Sequence, residues 1–406
     1  MSVTDTTFTL DNILTARERI ASTCIHTSLI HSHELSKEFN NTVYLKPENL
    51  QVTGAFKIRG ALNKVKSLSE EEKKHGLIAS SAGNHAQGVA YSGHALGIDV
   101  TIVMPKTTPL IKVQATKNWG ANVVLAGDVY DEAYEEARRL EKAHGYTFIH
   151  PFDDYEVMAG QGTIALEILE DMPDTDAILV PIGGGGLISG IAVAAKAINP
   201  KIKIIGVEAT GAMGMKESII AGHPVSLQQA DSIADGANVK TVGTLTYDLV
   251  EKYVDEIVTV NDEDLIETIF LLVEKHKIVT EATGALSIAA LKKVNFTGKK
   301  VVSVISGGNI DVLTMSSLLD RGLYSRGRLF CFSVKLKDTP GQLVKIAEIL
   351  ANVGANVVKL DHNQFKALDR VRHVALEITI ETNGHEHINE VKKALESHGY
   401  TIEIVY

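Results

Sequence analysis

Between residues 43 and 306 the chain repeatedly spells out short apolar runs that do not alternate with polar residues. VYL (43–45), LIAS (77–80), DVTIVM (99–104), ANVVLA (121–126), AILVPI (177–182), KIIGVE (203–208) and KVVSVIS (300–306) are nearly continuous. A strand with one wet face alternates; a strand covered on both faces does not. Burial of both faces is the condition of parallel strands, whose crossover helices supply the covering layers. Helical patterns lie between the runs, among them HAQGVAYSGHALG (85–97) and DEAYEEARRLEKAHG (131–145). The expected fold is α/β with doubly wound open sheets, and the number of strands predicts two lobes rather than one large sheet.

The pattern changes near residue 321. RGLYSRGR (321–328) is polar, basic and glycine-containing, so it is expected as a linker. Beyond it FCFSVKL (330–336) alternates, with Phe330, Phe332, Val334 and Leu336 on one face. HVALEITIE (373–381) does the same with Val374, Leu376, Ile378 and Ile380. These read as half-buried antiparallel strands. A helix is expected after Asp338-Thr339-Pro340, a second over VKKALESHG (391–399), and a last strand in TIEIVY. The order βαββαβ predicts a ferredoxin-like unit. The domains are therefore drawn as 1–320, a linker 321–328, and 329–406.

Composition narrows the classes of function. A chain of 406 residues with a net charge of −10 and no basic run is a poor partner for nucleic acid or an anionic membrane. No window approaches 18 uninterrupted apolar residues, so no membrane span is expected. The first twenty residues lack a basic stretch followed by an apolar one, and no secretory signal is expected. Cys24 and Cys331 are the two cysteines and form no C-x-x-C pair, which fits a reducing cytoplasm.

Four local features carry chemistry. Lys57 follows Thr53-Gly54-Ala55-Phe56 and opens a helical stripe of Ile58, Ala61, Leu62, Val65 and Leu68, with Arg59 and Lys66 on the polar side. By itself such a lysine reads as a side chain snorkelling along apolar surface. A helix start and an apolar site, however, both favour the free amine that Schiff-base chemistry requires. Gly183-Gly184-Gly185-Gly186 joins a buried run to the helix LISGIAVAAKAI, a ready phosphate cradle. With Glu208 downstream it also resembles a dinucleotide site, although a serine replaces the third glycine. Ser81, Gly83, Asn84 and His85 in SSAGNHAQG (80–88) stand at another helix start, suited to a carboxylate or to plain capping. Ser306 in ISGGN (305–309) lies at a strand's carboxyl end, able to cap a helix or to meet a heteroaromatic nitrogen. One cofactor with a phosphate, an aldehyde and a pyridine ring uses all four: pyridoxal phosphate.

The segments KPENLQVTGAFKIRGA (46–61), SSAGNHAQG (80–88), GGGGL (183–187), IADG (233–236) and SGGN (306–309) resemble, in order, those of the threonine dehydratases (threonine ammonia-lyases) among fold-type-II pyridoxal-phosphate enzymes. The resemblance covers about residues 10–320. It implies that Lys57 anchors the cofactor and then serves as base, that Phe56 neighbours its ring, and that Asn84 contacts the 3′-oxygen. Gly183, Gly184, Gly185, Gly186 and Leu187 match the phosphate loop, and Ser306 the partner of the pyridine nitrogen. Ser81, Gly83, Asn84 and His85 match the loop that takes the substrate carboxylate. The implied reaction converts L-threonine to 2-oxobutanoate and ammonia, and L-serine to pyruvate. Serine racemase or serine dehydratase of the same fold is the alternative; a nicotinamide-dependent dehydrogenase leaves Lys57 and the 80–88 loop without a role. Racemases of this fold carry a serine where this chain has Ala82, which favours a lyase. Glu208 matches one acid of their divalent-metal site, but Gly214 stands at the other, and no metal is assigned. DTPGQL (338–343) and VGANV (353–357) resemble an ACT domain. That implies allosteric control by isoleucine or valine, as in isoleucine biosynthesis, or by AMP or ADP, in a homodimer or homotetramer.

Overall fold

The continuous apolar runs become parallel strands of two separate sheets. The computed structural model describes residues 8–337, 339–362 and 373–406. They fall into two units, Met1–Asp311 and Val312–Tyr406. In the first, a six-stranded sheet runs in the order Ile30–His31, Thr42–Pro47, Lys300–Ile305, Ala177–Pro181, Lys203–Ala209, Glu256–Val260. All neighbours are parallel except Ile30–His31, which pairs antiparallel to Thr42–Pro47. A four-stranded sheet, Asn122–Leu125, Val100–Met104, Leu77–Ser80, Thr147–Phe148, is parallel throughout. Every residue of Val100–Met104 and of Ala177–Pro181 is buried, the covering on both faces that the absence of alternation predicts.

Three strands lie outside the expected set. Ile30–His31 and Thr147–Phe148 are two residues long, too short to display a period. Glu256–Val260 reads EIVTV and alternates because it is the sheet's edge, with Val258 and Val260 buried.

In open α/β sheets ligands gather beyond the carboxyl ends of the strands. The register sets Val301 opposite Ala177 and Ser303 opposite Leu179, so Ser306 and the Gly183 loop leave the large sheet at the same edge. From the small sheet, Leu77–Ser80 delivers Ser81 and Thr147–Phe148 delivers His150 and Pro151.

On the helix Lys57–Ser67 the polar side that carries Arg59 is buried. Arg59 is only 1% exposed. Its Nε meets Glu48 Oε2 at 2.7 Å and its Nη1 meets Glu167 Oε1 at 2.6 Å. Lys46, fully buried, reaches the same Glu167 at 2.5 Å. Burial opposes the charge on Glu48, but Arg59, Lys46 and the Thr27 hydroxyl together hold its carboxyl below the usual range. The helical wheel placed Arg59 with Lys66; the face it occupies is polar, yet it packs on Glu48 and on the helix Tyr155–Asp171 rather than on water.

The second unit is an antiparallel sheet ordered Asn356–His362, His373–Glu381, Leu329–Lys337, Ile402–Ile404. With the helices Gln342–Asn352 and His385–Ser397 it forms the βαββαβ ferredoxin-like order. Phe330, Phe332, Val334, Leu336, Leu376, Ile378 and Ile380 make its core with Ile346, Val391 and Leu395. Asp338 and the side chain of Val374 lie outside the described residues. The stretch expected as a linker is helical up to Ser325, within Val312–Ser325. Leu318 and Gly322 are buried on that helix, so the glycine packs instead of breaking it, and the chain turns at Gly327 (φ +62°). The last helix begins at His385, ahead of the apolar spacing that suggested residue 391. Among the described residues no helix is long and apolar enough to cross a membrane.

Replacing Arg59 by leucine leaves Glu48 and Glu167 as under-compensated buried carboxylates. The expected loss is about 3–5 kcal/mol of unfolding free energy, read from urea denaturation of the wild type and Arg59→Leu.

Candidate active site

The turn before Lys57 is shaped by backbone pairing. Phe56 N–H donates to Ser306 O at 3.0 Å, Gly308 N–H donates to Gly54 O at 2.8 Å, and Ala55 and Gly307 form an antiparallel bridge. Gly54 has φ +72°, and a Cβ there would collide with the Asn309 amide. The SGGN segment thus templates the turn that starts the helix Lys57–Ser67. Lys57 Nζ donates to Pro151 O at 2.8 Å and lies 5.3 Å from the Phe56 ring centre. Burial pushes its pKa down to about 8, with Glu281 opposing. The amine is therefore poised between charged and nucleophilic forms near neutral pH.

Lys57 lines a cavity of about 860 Å³. The same cavity is lined by Phe56, Ser81, Gly83, Asn84, His85, Gly183, Gly184, Gly185, Gly186, Leu187 and Ser306. Every residue matched to the cofactor or the substrate carboxylate thus lines one space; Glu208 does not. Gly185 caps the helix Gly186–Ile198 at φ +95°, and a Cβ on Gly184 would fall on the Phe152 ring. First-turn amides of a helix have no acceptor within it, so this loop and helix start form a cradle for an anion.

The helix Asn84–Leu96 starts at a second point of the cavity wall. His85 Nε2 bonds Ile149 O at 2.9 Å, and its Nδ1 is buried without a partner among the described residues. Burial, with Lys57 beside it, drops its pKa to about 3, so the ring is neutral. With Nε2–H donating to Ile149, Nδ1 is an acceptor and cannot bind a carboxylate. At this position the imidazole is excluded as an anion ligand, and the helix-start amides remain.

Glu208 does not line the cavity lining just described. Its two oxygens accept from Met215 N–H at 2.8 Å and Lys216 N–H at 2.9 Å, so its carboxyl serves the start of the helix Gly214–Ala221. That removes the ribose acid from the dinucleotide reading. Among the described residues no cluster of His, Cys, Asp and Glu side chains is spaced to hold a metal ion.

Residues without an assigned role also reach the cavity: Glu281, Thr283, Asn309, His150 and Asp235. Glu281 is the most informative. Burial and the neighbouring Asp235 push its carboxyl up to about 8, against Asn84, Lys112 and Lys57. Only its place before the helix Ala282–Ala289 hinted at it, because neighbours that act on it lie far away in sequence.

Residues 20–307 match the family of pyridoxal-phosphate dependent enzymes, and the chain belongs to that family. It is an enzyme, and pyridoxal phosphate is its cofactor. Over 398 residues it is 45% identical to the L-threonine ammonia-lyase of Thermotoga maritima, across 98% of this chain and 99% of that one. Among solved structures it is similar to the processed form of threonine deaminase isoform 2 from Solanum lycopersicum. That match has 38% identity and a TM-score of 0.74, over 77% of this chain and 86% of the other. Maize serine racemase is similar at 34% identity and a TM-score of 0.74, over 78% and 98%.

The cavity fits the cofactor on its own terms. It offers a glycine cradle, a buried lysine of lowered pKa, and the Ser306 hydroxyl, buried without a partner among the described residues. An orphaned buried hydroxyl is costly unless a ligand satisfies it.

Because only the free amine of Lys57 attacks an aldehyde, capture of added pyridoxal phosphate by cofactor-free protein is expected to accelerate as pH rises through about 8. Stopped-flow absorbance reads this directly; a rate independent of pH from about 6.5 to 9.5 contradicts the depressed amine.

Proposed function

We propose that the protein deaminates L-threonine to 2-oxobutanoate and ammonia, and L-serine to pyruvate. The observation that carries this reading is the convergence of Lys57, the glycine cradle, the Asn84 helix start and Ser306 on one cavity. Likeness over nearly its whole length to an L-threonine ammonia-lyase supports the choice of substrate.

Each residue has a role in that reading. Gly183 to Gly186 and Leu187 would hold the phosphate by backbone amides, Phe56 would flank the ring, Asn84 would donate to the 3′-oxygen, and Ser306 would meet the ring nitrogen. Ser81, Gly83, Asn84 and His85 hold the substrate carboxylate, His85 through its backbone only. Pyridoxal phosphate, when bound, supplies the electron sink that lets the substrate Cα give up its proton. Lys57 would anchor the cofactor and, as a free amine, would take that proton. Ser306, a neutral hydroxyl, does not hold the ring nitrogen protonated, which favours prompt loss of the β-hydroxyl. Ala82 lines the cavity and has no proton to return, which favours elimination over racemisation.

Residues 329–406 are read as an ACT domain that senses isoleucine, valine, AMP or ADP in a homodimer or homotetramer. Its ferredoxin-like order supports this. Cys24 and Cys331 are both free thiols, which supports a cytoplasmic location. A racemase remains the second reading because of the likeness to maize serine racemase.

Lys57→Ala is expected to lose the yellow cofactor band and to lower turnover more than about a thousandfold. Initial rates with L-threonine and L-serine, and chiral analysis of residual serine, separate lyase from racemase. D-serine as the main product from wild type overturns the lyase reading, and Ala82→Ser is expected to add only slight racemisation. A chain ending at Asp311 is expected to keep turnover and lose its response to all four effectors. An unchanged response removes the sensor role from the second unit.

A further inference from the structure

Glu281 has no part in the roles above, yet it borders the same cavity and is 7% exposed. Its Oε1 accepts a 2.6 Å hydrogen bond from Asn84 Nδ2. At the other end of that amide, Asn84 Oδ1 accepts from Asn309 Nδ2 at 2.8 Å. Asn309 Nδ2 also donates to Thr53 O at 2.7 Å, just ahead of the Lys57 turn. A primary amide carries one acceptor oxygen and two N–H donors. Asn309 presents donors only through that nitrogen, so it decides which end of the Asn84 amide is the oxygen. Glu281 then takes one of the two N–H groups and fixes the amide plane. One donor remains for the cavity that Asn84 lines.

We propose that Glu281 is a positioning residue that, clamping Asn84 against Asn309, aims the free Asn84 N–H at the 3′-oxygen of the cofactor. The inference rests on the assignment of Asn84 to that oxygen. The packing supports a built contact. A Cβ on Gly307 would strike Glu281 Oε1 and lie 3.2 Å from Asn84 Nδ2. Glu281 N–H donates to Gly307 O at 3.2 Å, and the Thr280 hydroxyl donates to the same carbonyl at 2.8 Å. Burial and Asp235 push the carboxyl toward its neutral form. In that form it accepts from Asn84 without placing a full negative charge beside the cofactor's oxygen.

The test titrates cofactor-free wild type, Glu281→Ala, Glu281→Gln and Asn84→Ala with pyridoxal phosphate and reads affinity and the absorption maximum. Glu281→Ala is expected to bind roughly tenfold or more weakly, with a displaced maximum in the direction of Asn84→Ala. Glu281→Gln keeps an acceptor oxygen and is expected to stay within about threefold of wild type, with an unmoved maximum. Wild-type affinity and maximum in Glu281→Ala, or a Gln variant as impaired as the Ala variant, overturns the positioning role. If Asn84→Ala itself changes neither quantity, the assignment of Asn84 fails instead. Thermal unfolding of the cofactor-free proteins shows whether Glu281→Ala folds. Should it not, Asn309→Asp breaks the clamp from its other end, and an unmoved maximum there overturns the inference.

Discussion

The site depends on a short backbone pairing between two segments some 250 residues apart. Phe56 donates to Ser306 O and Gly308 donates to Gly54 O, closing the turn that delivers Lys57 against the end of the strand Lys300–Ile305. Each such bond contributes about 1 kcal/mol net. Their larger effect is geometric, because they place the lysine and the Ser306 hydroxyl in fixed relation before any ligand arrives. The buried Arg59 network anchors the same helix one half-turn further on, so the lysine is held from both sides.

Desolvation then sets the chemistry. The same burial that lowers Lys57 to about 8 lowers His85 to about 3 and raises Glu281 to about 8. All three shifts move charge out of the cavity wall. Within that wall the fixed amides of two helix starts add a source of positive potential that does not titrate.

Much of this was legible residue by residue. Continuous runs such as AILVPI and DVTIVM announced strands buried on both faces, and alternation in FCFSVKL announced a different sheet. Gly183 to Gly186 stood out because strand and helix flank them. The burial of Arg59 was not legible, because a helical wheel separates polar from apolar faces but cannot tell a polar face in water from one against Glu48 and Glu167. The 321–328 stretch looked like a linker because its charges and glycine outweigh, locally, an apolar spacing that begins earlier in the helix Val312–Ser325. Glu281 and Asn309 escaped assignment because hydrogen-bond partners distant in sequence leave no periodic mark.

By itself the sequence determined the two kinds of sheet, the helix starts and the residue types able to hold a phosphate, an aldehyde and a ring nitrogen. These are local matters, set by periodicity, glycine and the ends of helices. Only the tertiary structure decided that Lys57 is desolvated, that His85 and Glu208 turn their side chains to backbone groups, and that Glu281 and Asn309 grip Asn84. Burial and long-range pairing are properties of the folded surroundings, and the same side chain in water would carry a different charge and no partner.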